Sequence, residues 1–312
     1  MEVGEVKVPE SKDFQTFREA ADNDSSWTLS LKNNKKQLFI YSRQTPGTKI
    51  QQIKIKALFP GISAALLYDT LQDTAYTHSW DAYCVRTEDI CYIDPMNIIS
   101  YYAMKLQSPL RNRDFVLQRS WLYNGQDYAI FNHSVNHKDY PPQKGFIRGI
   151  SELTGFLIKP MKGKDNEANC HLTYISQSDP KGSIPSWFVN SVGKTFAPRQ
   201  IKVLQKACIK YDKWKNKQKN PKFKPWNDPE QLMTSLARIN WPDVQAENQP
   251  KVSEELELDD EFEDEKEIEK VLKGVNLNGD SSSNSNSACN SDDDDEIEDL
   301  ATEVNGNGGD AK

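Results

Sequence analysis

In PSWFVNSVGKTFAPRQIKVLQKACIKY, residues 185–211, Phe188, Val192 and Phe196 recur every four residues, and beyond Pro198 the series Ile201, Leu204, Cys208 and Tyr211 continues at three and four. Such spacing lines one face of an α-helix with apolar groups, so a long amphipathic helix is predicted, kinked by Pro198. Its opposite face is basic: Lys194 to Lys224 hold eleven Lys/Arg and one acid, Asp212.

Upstream the period changes to two. Trp27–Leu31 and Gln37–Gln44 flank Lys32-Asn33-Asn34-Lys35 as a hairpin, and in Gln52–Phe59 the residues Ile53 and Ile55 alternate with Lys54 and Lys56. Further strands are predicted at Cys84–Cys91, Ile99–Leu106, Phe115–Tyr123, Tyr128–Val135, Phe146–Leu153, Gly155–Met161 and His171–Gln177. Two short helices accompany them, Ser11–Ala21 opening on a capping serine and Gly61–Asp73. Many consecutive strands with few helices between them imply an α+β fold with an antiparallel, meandering sheet. A sheet curled around one long helix either fills its interior or leaves a ligand cavity, and the pattern admits both.

The length of 312 residues suits one large domain with something added. What is added shows in the charge. Residues 246–312 hold 22 Asp/Glu against 5 Lys/Arg, a net of −17, which leaves the first 245 residues at +10. The tail, with SSSNSNSACNSDDDD, has almost nothing to bury and reads as disorder, Leu256–Val271 being its one candidate helix. Pro225, Pro229 and Pro242 mark a boundary before it. The organisation expected is a leader over 1–12, the main domain over 13–226, a linker over 227–245 and the acidic tail over 246–312. Neither a membrane-spanning run nor a secretory leader is recognisable, and five scattered cysteines suggest no disulfide framework and no zinc site, so a cytoplasmic protein with reduced thiols is expected.

Catalytic patterns are missing: G-x-S-x-G, the phosphate-binding G-x-x-x-x-G-K-[ST], G-x-G-x-x-G and H-E-x-x-H do not occur. His133 and His137 sit on a strand and its exit, and Cys170 and His171, being adjacent in a strand, point to opposite faces. Neither an enzyme nor a metal protein is expected. Lys213–Trp226 interleaves bases with Trp214, Phe223 and Trp226, but the overall acidity opposes nucleic acid as a partner.

The order helix, hairpin, helix, long antiparallel run and C-terminal amphipathic helix resembles the START lipid-transfer family. Local motifs resemble its phosphatidylcholine-transfer-protein-like branch, and specifically its acidic-tailed, phospholipid-carrying type: AYTHSWDAY (75–83), PLRNRDFV (109–116), YPPQKGFIRG (140–149), TYISQSDPKGSIPSWFVN (173–190) and ACIKYDKWK with FKPWNDPEQ. The resemblance implies a helix-grip fold, a curved antiparallel sheet closing on the C-terminal helix around one lipid, with no cofactor beyond that phospholipid. It also implies a monomer that touches membranes transiently. The family's lid maps to 184–211 with the loop 105–112. Trp187 and Phe188 stand at the helix entrance, and Lys194, Arg199 and Lys202 on the face that meets anionic headgroups, each worth about 1 kcal/mol near a charged surface.

Headgroup residues carry over less cleanly. Where the family's phosphatidylcholine binder has an arginine for the phosphate, this chain has Thr77, so either Thr77, His78 or Arg113 substitutes or the headgroup sits differently. Of the aromatic cage for the ammonium, Tyr102 and Phe115 fill two places and Glu152 falls near the third, which makes phosphatidylethanolamine as acceptable as phosphatidylcholine. Asp81 and Arg113 are expected to be buried charges, as a structural ion pair or on the headgroup, with Asp114 orienting Arg113. In the tail, Ser291 before Asp292–Asp295 suits an acidophilic kinase, and the tail is expected either to mask the basic lid face or merely to solubilise. A lipid-gated interaction module is the alternative to a carrier.

Overall fold

The structure, a computed structural model, describes residues 2–45, 51–106, 110–162, 168–182 and 196–245. The chain begins with α1 (Ser11–Asp22), β1 (Thr28–Asn33), β2 (Leu38–Gln44), β3 (Gln51–Phe59), α2 (Ala64–Gln72) and α3 (Thr74–Trp80). The sheet continues through β4 (Cys84–Asp94), β5 (Asn97–Met104), β6 (Asn112–Tyr123), β7 (Tyr128–Ser134), β8 (Phe146–Arg148), β9 (Ile150–Lys162) and β10 (Ala168–Asp179). Then come α4 (Ala197–Lys215), α5 (Pro229–Ser235) and a 3-10 turn at Trp241–Asp243.

The ten strands form one sheet in the order β1-β2-β3-β10-β9-β7-β6-β5-β4, antiparallel along this path, with β8 added parallel to β6. Period two then sorts side chains onto two faces. The inner face carries Ile55, Ala57, Ile98, Trp121, Ile130, Ile158 and Leu172, packed against Leu67 of α2 and Leu204 and Cys208 of α4. On the outer face, Phe14, Phe17 and Ala21 of α1 bury against Phe131, Leu157 and Ile175. Lys54, an outward alternate of β3, is fully buried there because its ammonium reaches the Asn23 carbonyl at 2.8 Å and Asp24 at 2.9 Å over the Trp27 ring. Gly155 lies at the closest approach of α1 to the sheet: a Cβ would stand 2.6 Å from the Ile130 carbonyl oxygen and 2.7 Å from the Phe17 ring. Gly155→Ala is therefore expected to cost about 1–3 kcal/mol in a urea melt, since backbone cannot yield as a side-chain tip can.

The described part of the long C-terminal helix behaves as its periodicity requires. Leu204, Ala207, Cys208 and Tyr211 are buried while Arg199, Lys202, Lys206, Lys210 and Lys213 are exposed. Pro198 sits in its first turn, where no helical N–H is needed. No helix among the described residues is long and apolar enough to cross a membrane.

Both flanks of the expected main domain turn out to belong to its body. The leader lies across the outer face: Gln118 exchanges hydrogen bonds with the Lys7 backbone (3.1 and 2.6 Å), the Gly4 N–H donates to the Ser134 carbonyl at 2.9 Å, and His133 Nε2 meets the Glu5 carbonyl oxygen at 2.7 Å. The stretch expected as a linker is a strap. Asp228 caps α5, whose Leu232 is buried in the inner core. Residues Ala237–Ile239 then pair with Tyr92 on the edge of β4, the Tyr92 N–H donating to the Ala237 carbonyl at 2.9 Å and the Ile239 N–H to the Tyr92 carbonyl at 2.8 Å. An edge strand offers such unpaired groups, and covering them is worth more to the chain than a free hinge. Pro229 and Pro242 sit in first helical turns and so start elements here instead of marking a break. Smaller departures follow from local chemistry. The cap of α1 is Glu10, whose N–H donates to the Asp13 carboxylate at 2.8 Å, in place of Ser11. The two strands expected around Gly155 are one continuous β9 after the three-residue β8.

Candidate functional site

Strand register assembles a row on the inner face that runs Ile98, Arg119, Asn132, Thr154, Ser176, Ile53, one residue from each of six neighbouring strands. One further pairing step toward α2 and α4 the row is apolar, with Trp121, Ile130, Phe156, Tyr174 and Ile55. In the other direction come Ser100 beside Leu117, then Tyr102 beside Phe115, then Met104 beside Arg113. The inner face thus passes from apolar through a hydrogen-bonding band to an aromatic pair.

The band is well knit. Ser151 Oγ donates to Asn132 Oδ1 at 3.3 Å and to Thr154 Oγ1 at 3.0 Å, and Thr154 meets the hydroxyls of Ser178 at 3.1 Å and Ser176 at 3.4 Å. At its far end Arg119 donates to the Leu71 carbonyl at 2.8 Å and to Gln72 Oε1, with Asp89 as its neighbouring anion. Desolvation pushes the Tyr102 and Tyr174 phenols and the Asp89 carboxyl up, and pulls the Arg119 guanidinium down. All four nevertheless keep accessible surface and are only half-buried. Tyr102, Tyr174 and Arg119 stand on the inner face of the sheet, whereas Asp89 borders a cavity of about 460 Å³ beside α3 and the end of α4, which His78, Trp214 and Trp226 also line.

Of the residues picked from the sequence, Tyr102 and Phe115 come together, paired across β5 and β6 on this face, with the Phe115 ring lying where a Cβ on Gly149 would be, 2.4 Å away. Asp81, the C-cap of α3, accepts the Tyr102 hydroxyl at 2.9 Å and the Tyr83 N–H at 3.0 Å. Thr77 is half-buried and its hydroxyl turns back to the Asp73 carbonyl at 3.4 Å. His78 is exposed, its Nδ1 beside the Cys84 sulfur at 3.8 Å. Arg113 is buried and ties the start of β6 to the end of β10, donating to the carbonyls of Arg111 and Pro180 at 2.5 Å and of Lys181 at 2.9 Å. Arg199 and Lys202 are exposed on α4. Trp187, Phe188, Lys194, Ser291 and the candidate tail helix lie outside the described residues, as does 107–109 of the lid loop.

Two expectations are corrected. Asp114 does not orient Arg113: neighbours in a strand face opposite ways, and Asp114 instead takes a two-pronged grip from Arg148 at 3.0 and 2.9 Å and accepts from the Tyr101 hydroxyl at 3.1 Å. Glu152 does not join Tyr102 and Phe115. The register shift between Gln177 and Ser178 inserts it as an extra residue, and its carboxylate accepts from Gln177, which Gln52 holds on the outer face. Arg119, in contrast, had a signal that went unread. In Phe115, Leu117, Arg119, Trp121 it is the charge in an apolar alternate series, where a strand would bury it.

A family model described as START domain matches residues 8–215, and the chain belongs to that family. Among its relatives, START domain-containing protein 10 of Mus musculus is 39% identical over 233 residues, 74% of this chain and 78% of the relative. Phosphatidylcholine transfer protein of Mus musculus is 27% identical over 210 residues, 64% of this chain and 94% of its own. The crystal structure of human STARD10 superposes with a TM-score of 0.69 at 35% identity, covering 77% of this chain and 95% of that one.

Proposed function

We propose that the chain carries one phosphatidylcholine or phosphatidylethanolamine molecule in the space behind α4 and moves it between membranes as a monomeric, cytoplasmic, peripherally associated protein. The observation that carries this is the set of surrounded yet accessible side chains on the inner face, Tyr102, Tyr174 and Arg119. The named activity of the phosphatidylcholine transfer protein supports the same reading. Two acyl chains hold on the order of 30 methylenes, and at about 0.8 kcal/mol each their exposure to water costs roughly 25 kcal/mol, so unaided exchange is very slow and an apolar container accelerates it. The apolar rows suit the chains. The phosphate then has Arg119 and the hydroxyl band, and the ammonium has the Tyr102 and Phe115 rings with the Asp81 carboxylate behind Tyr102. Native mass spectrometry of the purified chain tests this: the expected result is one phospholipid per protein with choline or ethanolamine in its headgroup, and a chain at its bare mass that also fails to move phospholipid between vesicles overturns it.

The membrane side of this reading rests on α4. Arg199, Lys202, Lys206, Lys210 and Lys213 form its exposed basic face, and Ile209, 67% exposed, stands among them. The tail of −17 competes for that face with anionic lipid, and an acidophilic kinase acting on Ser291 strengthens the competition. Deleting 246–312 is expected to raise binding to phosphatidylserine-containing vesicles several-fold at low salt, with the difference vanishing near 0.5 M salt where the Debye length falls to a few ångströms. Equal binding at low salt rejects the masking role.

A further inference from the structure

The interleaved bases and aromatics of Lys213–Trp226 build a feature that the lipid site does not use. At the end of α4 the cavity of about 460 Å³ has Trp214, Phe223, Pro225 and Trp226 in its lining, together with Thr87 and Asp89 of β4. The three aromatic residues are only half-buried, and apolar surface left open in a concavity favours an apolar occupant. The acids of the lining are compensated: Asp73 is held by Lys215 at 2.6 Å, and burial pushes the Asp89 carboxyl up, toward its neutral form. Around the cavity the charge is basic. Lys213, Lys217, Lys219 and Lys222 alternate in sequence with the lining residues Trp214, Gln218, Asn220 and Phe223, and all four are exposed and make no ion pair among the described residues.

The chain itself carries a match. In residues 254–265, EELELDDEFEDE, nine of twelve residues are acids and the other three are Leu256, Leu258 and Phe262, the one aromatic residue of the 67 beyond Gln245. The segment is also within reach. Asp243, two residues before Gln245, shares a smaller cavity with Ile90 of β4, the neighbour in sequence of Asp89. β4 is the end strand of the sheet, so the chain has only an edge to round. The nine residues from Gln245 to Glu254 span up to roughly 30 Å when extended.

We propose that residues 254–265 dock on this end of α4, with the Phe262 ring seated in the cavity against Trp214, Phe223 and Trp226 and the flanking acids on Lys213, Lys217, Lys219 and Lys222. The ring supplies position, because one aromatic has one cavity to fill, and the acids supply a charge complementarity that salt weakens. The proposal rests on the masking reading for its consequence at membranes and deepens it by naming the seat. A tail held here stands beside the basic face of α4, and an anionic lipid surface must displace it.

Amide hydrogen exchange on the full chain and on full-length Phe262→Ala tests the seat. Exchange over 214–226 is expected to be roughly fivefold slower in the parent at low salt, with the difference lost near about 0.5 M salt. Phe262 lies outside the body, so this substitution is expected to leave the melting temperature unchanged. A benzophenone at the same position, Phe262→p-benzoylphenylalanine, is expected to cross-link to 214–226 of its own chain. Exchange in Phe262→Ala as slow as in the parent, cross-links elsewhere on the body, or cross-links joining two chains overturn the proposal, the last by assigning the cavity to a second copy. The masking reading fails separately: protection over 214–226 with vesicle binding unchanged by tail deletion keeps the seat and rejects the masking, whereas raised binding on deletion without that protection rejects the seat and keeps the masking.

Discussion

Replacing Asp73 with alanine is expected to destabilise the body by about 3–5 kcal/mol, the cost of removing one partner of a buried ion pair. Asp73 is 3% exposed. Its carboxylate accepts the Lys215 ammonium at 2.6 Å, the Tyr211 hydroxyl at 3.0 Å and the Tyr76 N–H at 3.2 Å. One residue therefore ends α2 with its backbone N–H, and with its side chain caps α3 and anchors the last turns of α4. In Asp73→Ala, Lys215 remains a buried charge without its ion partner, beside the Trp214 and Trp226 rings at 5.9 and 5.3 Å. The loss should appear as a fall of roughly 10 °C in melting temperature, since about 2–4 °C accompanies each kcal/mol in a domain of this size. Adding Lys215→Met should recover part of it, because removing the orphaned charge relieves the desolvation cost. A single mutant that melts within 2 °C of the parent would show that the pair contributes nothing.

Ser176→Trp is expected to abolish phospholipid transfer, by more than tenfold, with the fold intact. Ser176 lies in the middle of the inner-face band, between Thr154 and Ile53. In a solid core an added indole forces backbone and rotamers aside at a cost of about 1–3 kcal/mol or more. In a hollow it fills the room the acyl chains require and costs little. Vesicle-to-vesicle transfer and a thermal melt on the same preparation separate the cases: lost transfer with an unchanged melt supports the container, and a collapsed melt means the interior was filled from the start.

Much of this architecture could be read before any coordinates. The apolar series Ile201, Leu204, Cys208, Tyr211 located α4, and alternation located the strands, because burial of one face dictates both periods. The second short helix, Thr74–Trp80, was hidden because Asp73 ends one helix and opens the next with no residue between them. The strap was hidden because its buried residues, Leu232, Ile239 and Val244, follow no period and its prolines look like breaks. At the candidate site, Tyr102, Phe115 and Asp81 could be picked out because a known family's motifs pass through them. Arg119, Asn132, Thr154 and Ser176 become neighbours only through the register of three strand pairings, β6 with β7, β7 with β9 and β9 with β10, which no local pattern encodes. Glu152 was misplaced by one inserted residue, which period-two reasoning cannot anticipate.

The seam where β3 pairs with β10 sets the order in which the molecule is made. Ile55 meets Tyr174 there, so the first three strands wait, already synthesised, until the last one leaves the ribosome. In that interval β3 offers an open edge and a greasy face to anything nearby, and closing so distant a contact is slow. The nascent chain is thus a natural client for chaperones that shield exposed edges until translation has passed the final strand.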